Sequence, residues 1–370
     1  MKTIEIIRNS VMQCIEKIEA LLKRISKTEK TVEEQGNKIK DGMVSLSVIE
    51  NFASSQFANF TYLYYEENRE IKSMLFNDGN VSEPKIYSYV ISGKPVSYKC
   101  NSSTSKVVFK DFDTSAVTNM SNMFYNCRNI TTLDLSSFNT SSVTNMSYMF
   151  SYCKRLTTLD LSSFNTSAAT DMSYMFSYCS NITTLDVSNF NTSAVTNMGS
   201  MFFECRNLTT LDLSSFDTSA VTTMGGMFSS CTNLATLDLS NFNTSAVTNM
   251  SFMFYNCTNL ATLDLSNFNT SAVTDMGFMF SYCANLTTII GTHTLEEVQA
   301  GTVKAMRGLK VSISFSDSPN LERASILALF YGLADLTGNT KQTIRLHATA
   351  KARLTAEDIK IATDKNWNVQ

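Results

Sequence analysis

Between Phe112 and Cys283, apolar and polar residues return to the same places every 26 residues. Phenylalanines 112, 138, 164, 190, 216, 242 and 268 form one column. Methionines 123, 149, 175, 201, 227, 253 and 279 form a second, and cysteines 127, 153, 179, 205, 231, 257 and 283 a third. In the unit Asn207 to Cys231, Leu211 and Leu213 alternate with Thr210, Asp212 and Ser214, the period of a short strand with one face inward. Val221, Met224, Met227, Phe228 and Cys231 then recur at spacings of three and four, as on an inward helical face. Each unit is therefore expected to be a strand, a corner around Phe216, and a helical or 3₁₀ return. A lone unit buries too little to fold, so neighbours must stack and pair their strands. Strands ~4.8 Å apart would build a parallel sheet about 30 Å long from seven units.

The flanks read differently. Ile4, Ile7, Val11, Cys14, Ile18, Leu21, Ile25, Thr28, Val32, Gln35 and Ile39 alternate at three and four, with Glu and Lys beside them. This seam predicts a parallel coiled coil about 60 Å long, the alternative being an amphipathic helix packed on its own domain. Residues 1–45 are thus expected to be an oligomerisation and attachment stem, dimer or trimer, held by Ile4, Ile7, Val11, Cys14, Ile18, Leu21, Ile25, Val32 and Ile39. Residues 46–110 read as a helical linker and N-terminal cap, with an aromatic-rich helix over 44–82 and strands over 86–109. The seven units occupy 111–286, and 287–370 form the C-terminal cap. There, a helix opening at Ser318-Pro319 is expected to run to Gly338, with Ile326, Leu329, Phe330, Leu333 and Leu336 on one face. A strand near Thr343 and a helix entered through the capping-box pattern Thr355-Ala-Glu-Asp358 follow.

Charge and composition narrow the chemistry. Thirty Lys and Arg against 33 Asp and Glu leave a formal charge of -3, so no basic excess points to nucleic acid. No apolar run reaches the roughly 18 residues of a membrane span, and no secretory h-region follows Met1, so folding in a cytoplasm is expected. The cysteine column lies in an apolar stripe without a Cys-x-x-Cys pair or companion histidine, so buried thiols are expected rather than disulfides or zinc. Asp134, Asp160, Asp186, Asp212, Asp238 and Asp264 form an acidic stripe, expected to be solvated; a row of calcium ions is the other reading. No cofactor or metal is expected. His293 and His347 lie outside the repeats with no nucleophile motif near them, so no catalysis is expected.

The inward letters hardly vary between units, whereas outward ones do. Tyr125, Tyr148, Tyr152, Tyr174, Tyr178, Phe203, Phe252, Tyr255, Phe278 and Tyr282 fall at the variable positions, a candidate binding surface on a convex face. Packing of these rings between neighbouring units is the other reading.

The recurring Asn-Leu-Thr-Thr-Leu-Asp-Leu-Ser-Ser-Phe-(Asn/Asp)-Thr-Ser-x-Val-Thr-x-Met-x-x-Met-Phe resembles the BspA-type, mycoplasma-lipoprotein-like repeats, over about residues 107–290. That resemblance implies an α/β leucine-rich-repeat solenoid, a parallel sheet on one face and short helices or 3₁₀ turns on the other, used for adhesion at a surface. The layout of heptad stem, array and tail (Leu336-Thr-Gly-Asn through Asn366-Trp367) resembles a virion fibre or appendage of gut phages. The expectation is a structural virion protein whose stem contacts other virion proteins and whose array binds a host-surface glycan or protein, with no nucleic-acid or membrane partner. A bacterial surface adhesin or scaffold is the alternative.

Overall fold

The computed structural model describes the backbone of residues 60–67 and 70–77, and backbone and side chains of residues 114–370 apart from Ala116. The coiled coil expected over residues 1–45, with its heptad residues, lies outside the described residues, as do the strands expected over 86–109.

Strands β1 (Phe60–Glu67) and β2 (Glu70–Asn77) pair antiparallel, with Glu67 opposite Glu70 and Phe60 opposite Asn77. A helix over 44–82 is therefore wrong at these positions. Tyr62-Leu-Tyr-Tyr65 and the run around Ile71 are rich in the aromatic and branched residues that favour strands. An apolar run of this length does not by its periodicity distinguish the two.

From Thr114 onward the chain advances in 26-residue units stacked on their neighbours. Parallel bridges join Asn119, Asn145, Asp171, Asn197, Thr223, Asn249 and Asp275 in series. Fewer bridges mark the Leu-Thr-Thr-Leu segment, linking Thr184 to Thr210, and Thr236 to Thr262 to Thr288. The alternation read there is real: Leu211 and Leu213 are buried while Thr210, Asp212 and Ser214 face solvent. Pairing nevertheless stays at single bridges, because Asp212 turns its carboxylate back to the Ser214 N–H (2.9 Å) and bends the chain.

The return segment is a chain of short i→i+3 turns, the 3₁₀-type form of the two expected rather than an α-helix. Met120, Asn122, Phe124 and Asn126 donate their N–H groups to the carbonyls of Asn145, Ser147, Met149 and Ser151 in the next unit, at 2.8–2.9 Å. Between these donors, Met123, Tyr125 and Cys127 close short turns back onto Met120, Asn122 and Phe124. Hydrogen bonding thus runs across units rather than along a helix. Val221, Met224, Met227, Phe228 and Cys231 still point inward together, so the side-chain period suits a chain of turns as well as a helix.

Three further ladders lock the stack. Phe124, Phe150, Phe176, Phe202, Phe228, Phe254 and Phe280 form a buried spine with ring centroids 5.5–5.8 Å apart. Buried Thr140, Thr218 and Thr244 each donate to and accept from the backbone of one residue 25 positions on. Asn189, Asn241 and Asn267 reach back to carbonyls of the preceding unit, including Leu161, Leu213 and Leu239.

The C-terminal part continues this interior. Phe315, in strand β3 (Ile313–Phe315), stacks on Phe280 at 4.6 Å. Strand β4 (Gln342–Leu346) lies between β3 and β5 (Trp367–Val369), parallel to both. A short helix α1 (Leu295–Gln299) precedes them. Helix α2 (Arg323–Gly332) is shorter than expected and buried nearly all round, so it is not a one-faced helix. It begins after Glu322 donates its N–H to Thr287 O, and it ends where Gly332 meets Ala305 O too closely for a Cβ, which would lie at 2.0 Å. Lys365 Nζ reaches three carbonyls at its end, Phe330, Tyr331 and Leu333. Beyond the short α3 (Ala348–Lys351), helix α4 (Ala356–Thr363) carries the Thr355–Asp358 capping box, and Asp358 also forms a two-pronged pair with Arg323 (2.8 Å each). Among the described residues, no helix is long and apolar enough to cross a membrane.

Replacing Thr218 with Val removes a donor to Asn243 O (3.0 Å) and an acceptor for Asn243 N–H (2.8 Å) inside the stack. The Thr218→Val chain should lose about 1–3 kcal/mol in chemical denaturation while Thr218→Ser keeps most of it. Equal stability of Thr218→Val and the parent chain would show that the ladder is not needed.

Candidate functional site

The variable outward letters occupy a special backbone position. Asn122, Tyr148, Tyr174, Ser200, Gly226, Phe252 and Phe278 all have φ between 54° and 66°. So do Asn126, Tyr152, Tyr178, Glu204, Ser230, Asn256 and Tyr282, four residues later in each unit. This is left-handed backbone, costing ~1–2 kcal/mol for a residue with a Cβ. In the first six units the N–H of each such residue is donated to a carbonyl of the next unit, as Tyr148 N–H is to Ser173 O (2.9 Å). The larger side chains in these columns lie outside the phenylalanine spine, from half-buried Tyr148 and Tyr174 to exposed Phe278, while Ser200, Gly226 and Ser230 are buried between units. A third column, between these two, holds Tyr125, Phe203 and Tyr255, with serines in the remaining units, of which Ser151, Ser177 and Ser229 are buried.

The ten sequence-nominated aromatics come together as two groups. In the first, Tyr148 stacks on Tyr174 (4.5 Å) and Tyr152 on Tyr178 (4.1 Å). Tyr125 meets Tyr148 and Tyr152 edge-on, and Phe203 meets Tyr178 the same way at 5.1 Å. In the second, Phe252 stacks on Phe278 (5.1 Å) and contacts Tyr255, which meets Tyr282 edge-on. Between the groups the same positions carry Ser200, Gly226, Ser229 and Ser230. The ten rings are partly packed and partly open. They do pack unit against unit, yet Phe278 is 61% and Tyr282 55% exposed, and Tyr125 and Phe252 are also open.

A cation row beside the first group was not singled out from sequence. Lys154 Nζ sits 5.5 Å from the Tyr152 ring and 5.6 Å from that of Tyr178, and Arg128 lies 6.0 Å from Tyr152. Arg206 belongs to the same column and pairs with Glu204. Their common 26-residue spacing was the available signal. Partial burial, followed by the neighbouring Tyr174 and Asp171, raises the Tyr148 hydroxyl above its ordinary pKa. Burial and a hydrogen bond with Tyr152 do the same for Tyr178.

The aspartate column lies on another segment of the unit and does not converge on the aromatics. Asp134, Asp160, Asp186 and Asp212 each accept hydrogen bonds from the serine two residues on, which holds their carboxyls below the usual range. Asp238 and Asp264 make the same turn with Ser240 and Ser266. Among the described residues, no three His, Cys, Asp or Glu side chains gather as a metal site. His293 lies 3.8 Å from Asp264 and 3.6 Å from Glu297, while His347 Nδ1 accepts the Thr349 N–H as a helix cap.

The cysteine column divides. Cys153, Cys179, Cys205, Cys231, Cys257 and Cys283 are buried free thiols, each donating to the carbonyl of the spine phenylalanine 29 positions earlier at 3.0–3.2 Å. Cys127 is disulfide-bonded, which corrects the expectation of a thiol there.

A family model described as "Mycoplasma protein of unknown function, DUF285" matches residues 94–210 and 170–293, together more than half of the chain. Neither a curated protein nor a solved structure matches.

Burial pushes Cys153, Cys205 and Cys283 up to about 12 from 9.0, and the other three free thiols well above 9.0. Unfolding frees thiols that ionise near 9, so above that pH the folded chain binds more protons. Their contribution to stability is whole below pH 9 and should decline from 9 toward 12, read as a falling denaturation midpoint. A thiol reagent at pH 8 should label none of the six before unfolding; rapid labelling would contradict their burial. At the exposed, left-handed Phe278 (φ 58°), Ile should cost about 1 kcal/mol or more in chemical denaturation while Asn costs nothing. Equal effects would refute the backbone requirement.

Proposed function

The chain belongs to the DUF285 family of mycoplasma proteins of unknown function, and from that premise we propose a non-enzymatic display protein: a leucine-rich-repeat solenoid presenting two aromatic patches to a cell-surface ligand. The observation that carries this reading is the gathering of ten aromatic side chains outside the phenylalanine spine into two groups, with Tyr125, Phe252, Phe278 and Tyr282 exposed. Exposed aromatic clusters of this kind mark contact surfaces, because each ring brings a large contact area at little entropic cost. The solenoid reading draws support from the series of bridges one unit apart and the shared phenylalanine spine. The absence of catalysis is part of the same reading. His293 is engaged by two carboxylates and His347 by a helix start.

In the leading form of the proposal, the array is carried on a virion fibre, with residues 1–45 as the oligomeric stem bound to other virion proteins and a host glycan or protein as ligand. The second form is a bacterial surface adhesin of the BspA type. The Cys127 disulfide favours it, since such bonds persist in oxidising surroundings.

Replacing Tyr148, Tyr174, Phe252 and Phe278 together with serine should weaken whole-cell or glycan-array binding at least ten-fold, roughly 1.4 kcal/mol. Unchanged binding by a folded variant would remove the aromatic patches from consideration. Antibody labelling of purified particles and of bacterial surfaces then separates the two forms. Mass photometry of the full chain against one beginning at Ser47 checks the stem; two monomers would sink it.

A further inference from the structure

We propose that the first aromatic group, with its cation row, is a binding site for an acidic polysaccharide, one bearing carboxylates or sulfates. This rests on the display reading above and names the ligand class for one of the two patches. The patches differ in chemistry. The second is built of Phe252, Phe278, Tyr255 and Tyr282, and its cation-row positions hold Thr258 and Ala284. The first has five tyrosines and, along one edge, Arg128, Lys154 and Arg206.

Charge complementarity selects an anion. Lys154 forms no ion pair among the described residues, and Arg128 is held by the neutral Asn126 (2.6 Å). Arg206 is shared with Glu204, and Asp171 lies near Tyr148, so the positive side still prevails. At ~4.8 Å per unit, Arg128 and Arg206, three units apart, span roughly 15 Å, a row suited to a polymer with repeated charges rather than one small ion.

The geometry of the rings selects a sugar among polyanions. Tyr148 covers Tyr174, Tyr152 covers Tyr178, and Tyr125 and Phe203 close on them edge-on. Nucleobases need open ring faces to stack upon, and most of these are taken. An acidic peptide bound as an added strand needs free backbone N–H groups, yet those of Tyr148, Tyr152, Tyr174 and Tyr178 are donated to the next unit. What stays outward is a set of phenol edges and hydroxyls beside cations. Hydroxyls that donate and accept match sugar hydroxyls, and the cation row matches carboxylates or sulfates.

The test uses the full chain and measures its affinity for polygalacturonate and dextran sulfate, with neutral dextran, poly-glutamate and an oligo-dT strand as comparisons. The expected result is binding to at least one of the two acidic polysaccharides, with the other three at least ten-fold weaker. Replacing Arg128, Lys154 and Arg206 with Gln should weaken polysaccharide binding at least ten-fold. Tyr152→Phe with Tyr178→Phe should weaken it several-fold without loss of folding. The equal charge change Lys310→Gln, Lys341→Gln and Arg345→Gln, at exposed positions of the C-terminal part, should leave it unchanged. Failure of both acidic polysaccharides to bind overturns the proposal, as does equal loss in the control triple variant. Equal binding of neutral dextran or poly-glutamate, or tighter binding of oligo-dT, overturns the ligand class. If these polysaccharides fail while the four serine substitutions still abolish cell binding, the display reading survives this inference.

Discussion

The structure depends on one repeat distance being satisfied simultaneously by rings, hydroxyls and backbone amides. The phenylalanine spine advances 5.5–5.8 Å per unit, while the turn ladder and the threonine ladder each close hydrogen bonds near 2.8–3.0 Å across the same interval. None of these contacts lies within a unit. A unit removed from its neighbours would expose ring faces and buried polar groups together, and both are costly. This explains why the inward letters scarcely change: a substitution in any unit is felt by two others.

The same constraint creates the display surface. To aim every second amide at the next unit, the return segment must pass through left-handed backbone twice per turn of the stack. Those positions lie outside the phenylalanine spine, and Asn, Tyr, Ser, Gly, Glu and Phe all occur there, the small ones buried and the large ones more open. Variation at a fixed geometry is what a binding surface requires, since the scaffold stays rigid while the side chains differ. Tyrosine with cations at one end and phenylalanine without them at the other give two surfaces of different chemistry on one scaffold.

The stack also has to end. Phe315 takes the place the next spine phenylalanine would fill, and buried helix α2 with strands β3 to β5 carries the interior on to Trp367. Hydrogen bonds from Glu322 N–H to Thr287 O and from Ser318 Oγ to Cys283 O tie this segment to the last unit. A continuous interior then needs no exposed apolar end at this side.

Sequence alone determined the repeat length, which residues face inward, the Thr355 cap of α4 and the set of ten aromatics at the variable positions, because each is a matter of side-chain period or local hydrogen bonding. It did not determine the backbone path. Spacings of three and four are common to a helix and to a run of turns, so the return segment read as helical or 3₁₀ without a choice between them, and the aromatic run at Phe60–Asn77 read as a helix where two strands pair. Only the tertiary structure decided these, since the choice rests on whether an N–H finds its acceptor along the chain or one unit away. It likewise set the Cys127 disulfide apart from six free thiols and brought Arg128 and Lys154 over tyrosines in other units, contacts between residues distant in sequence that no local pattern encodes.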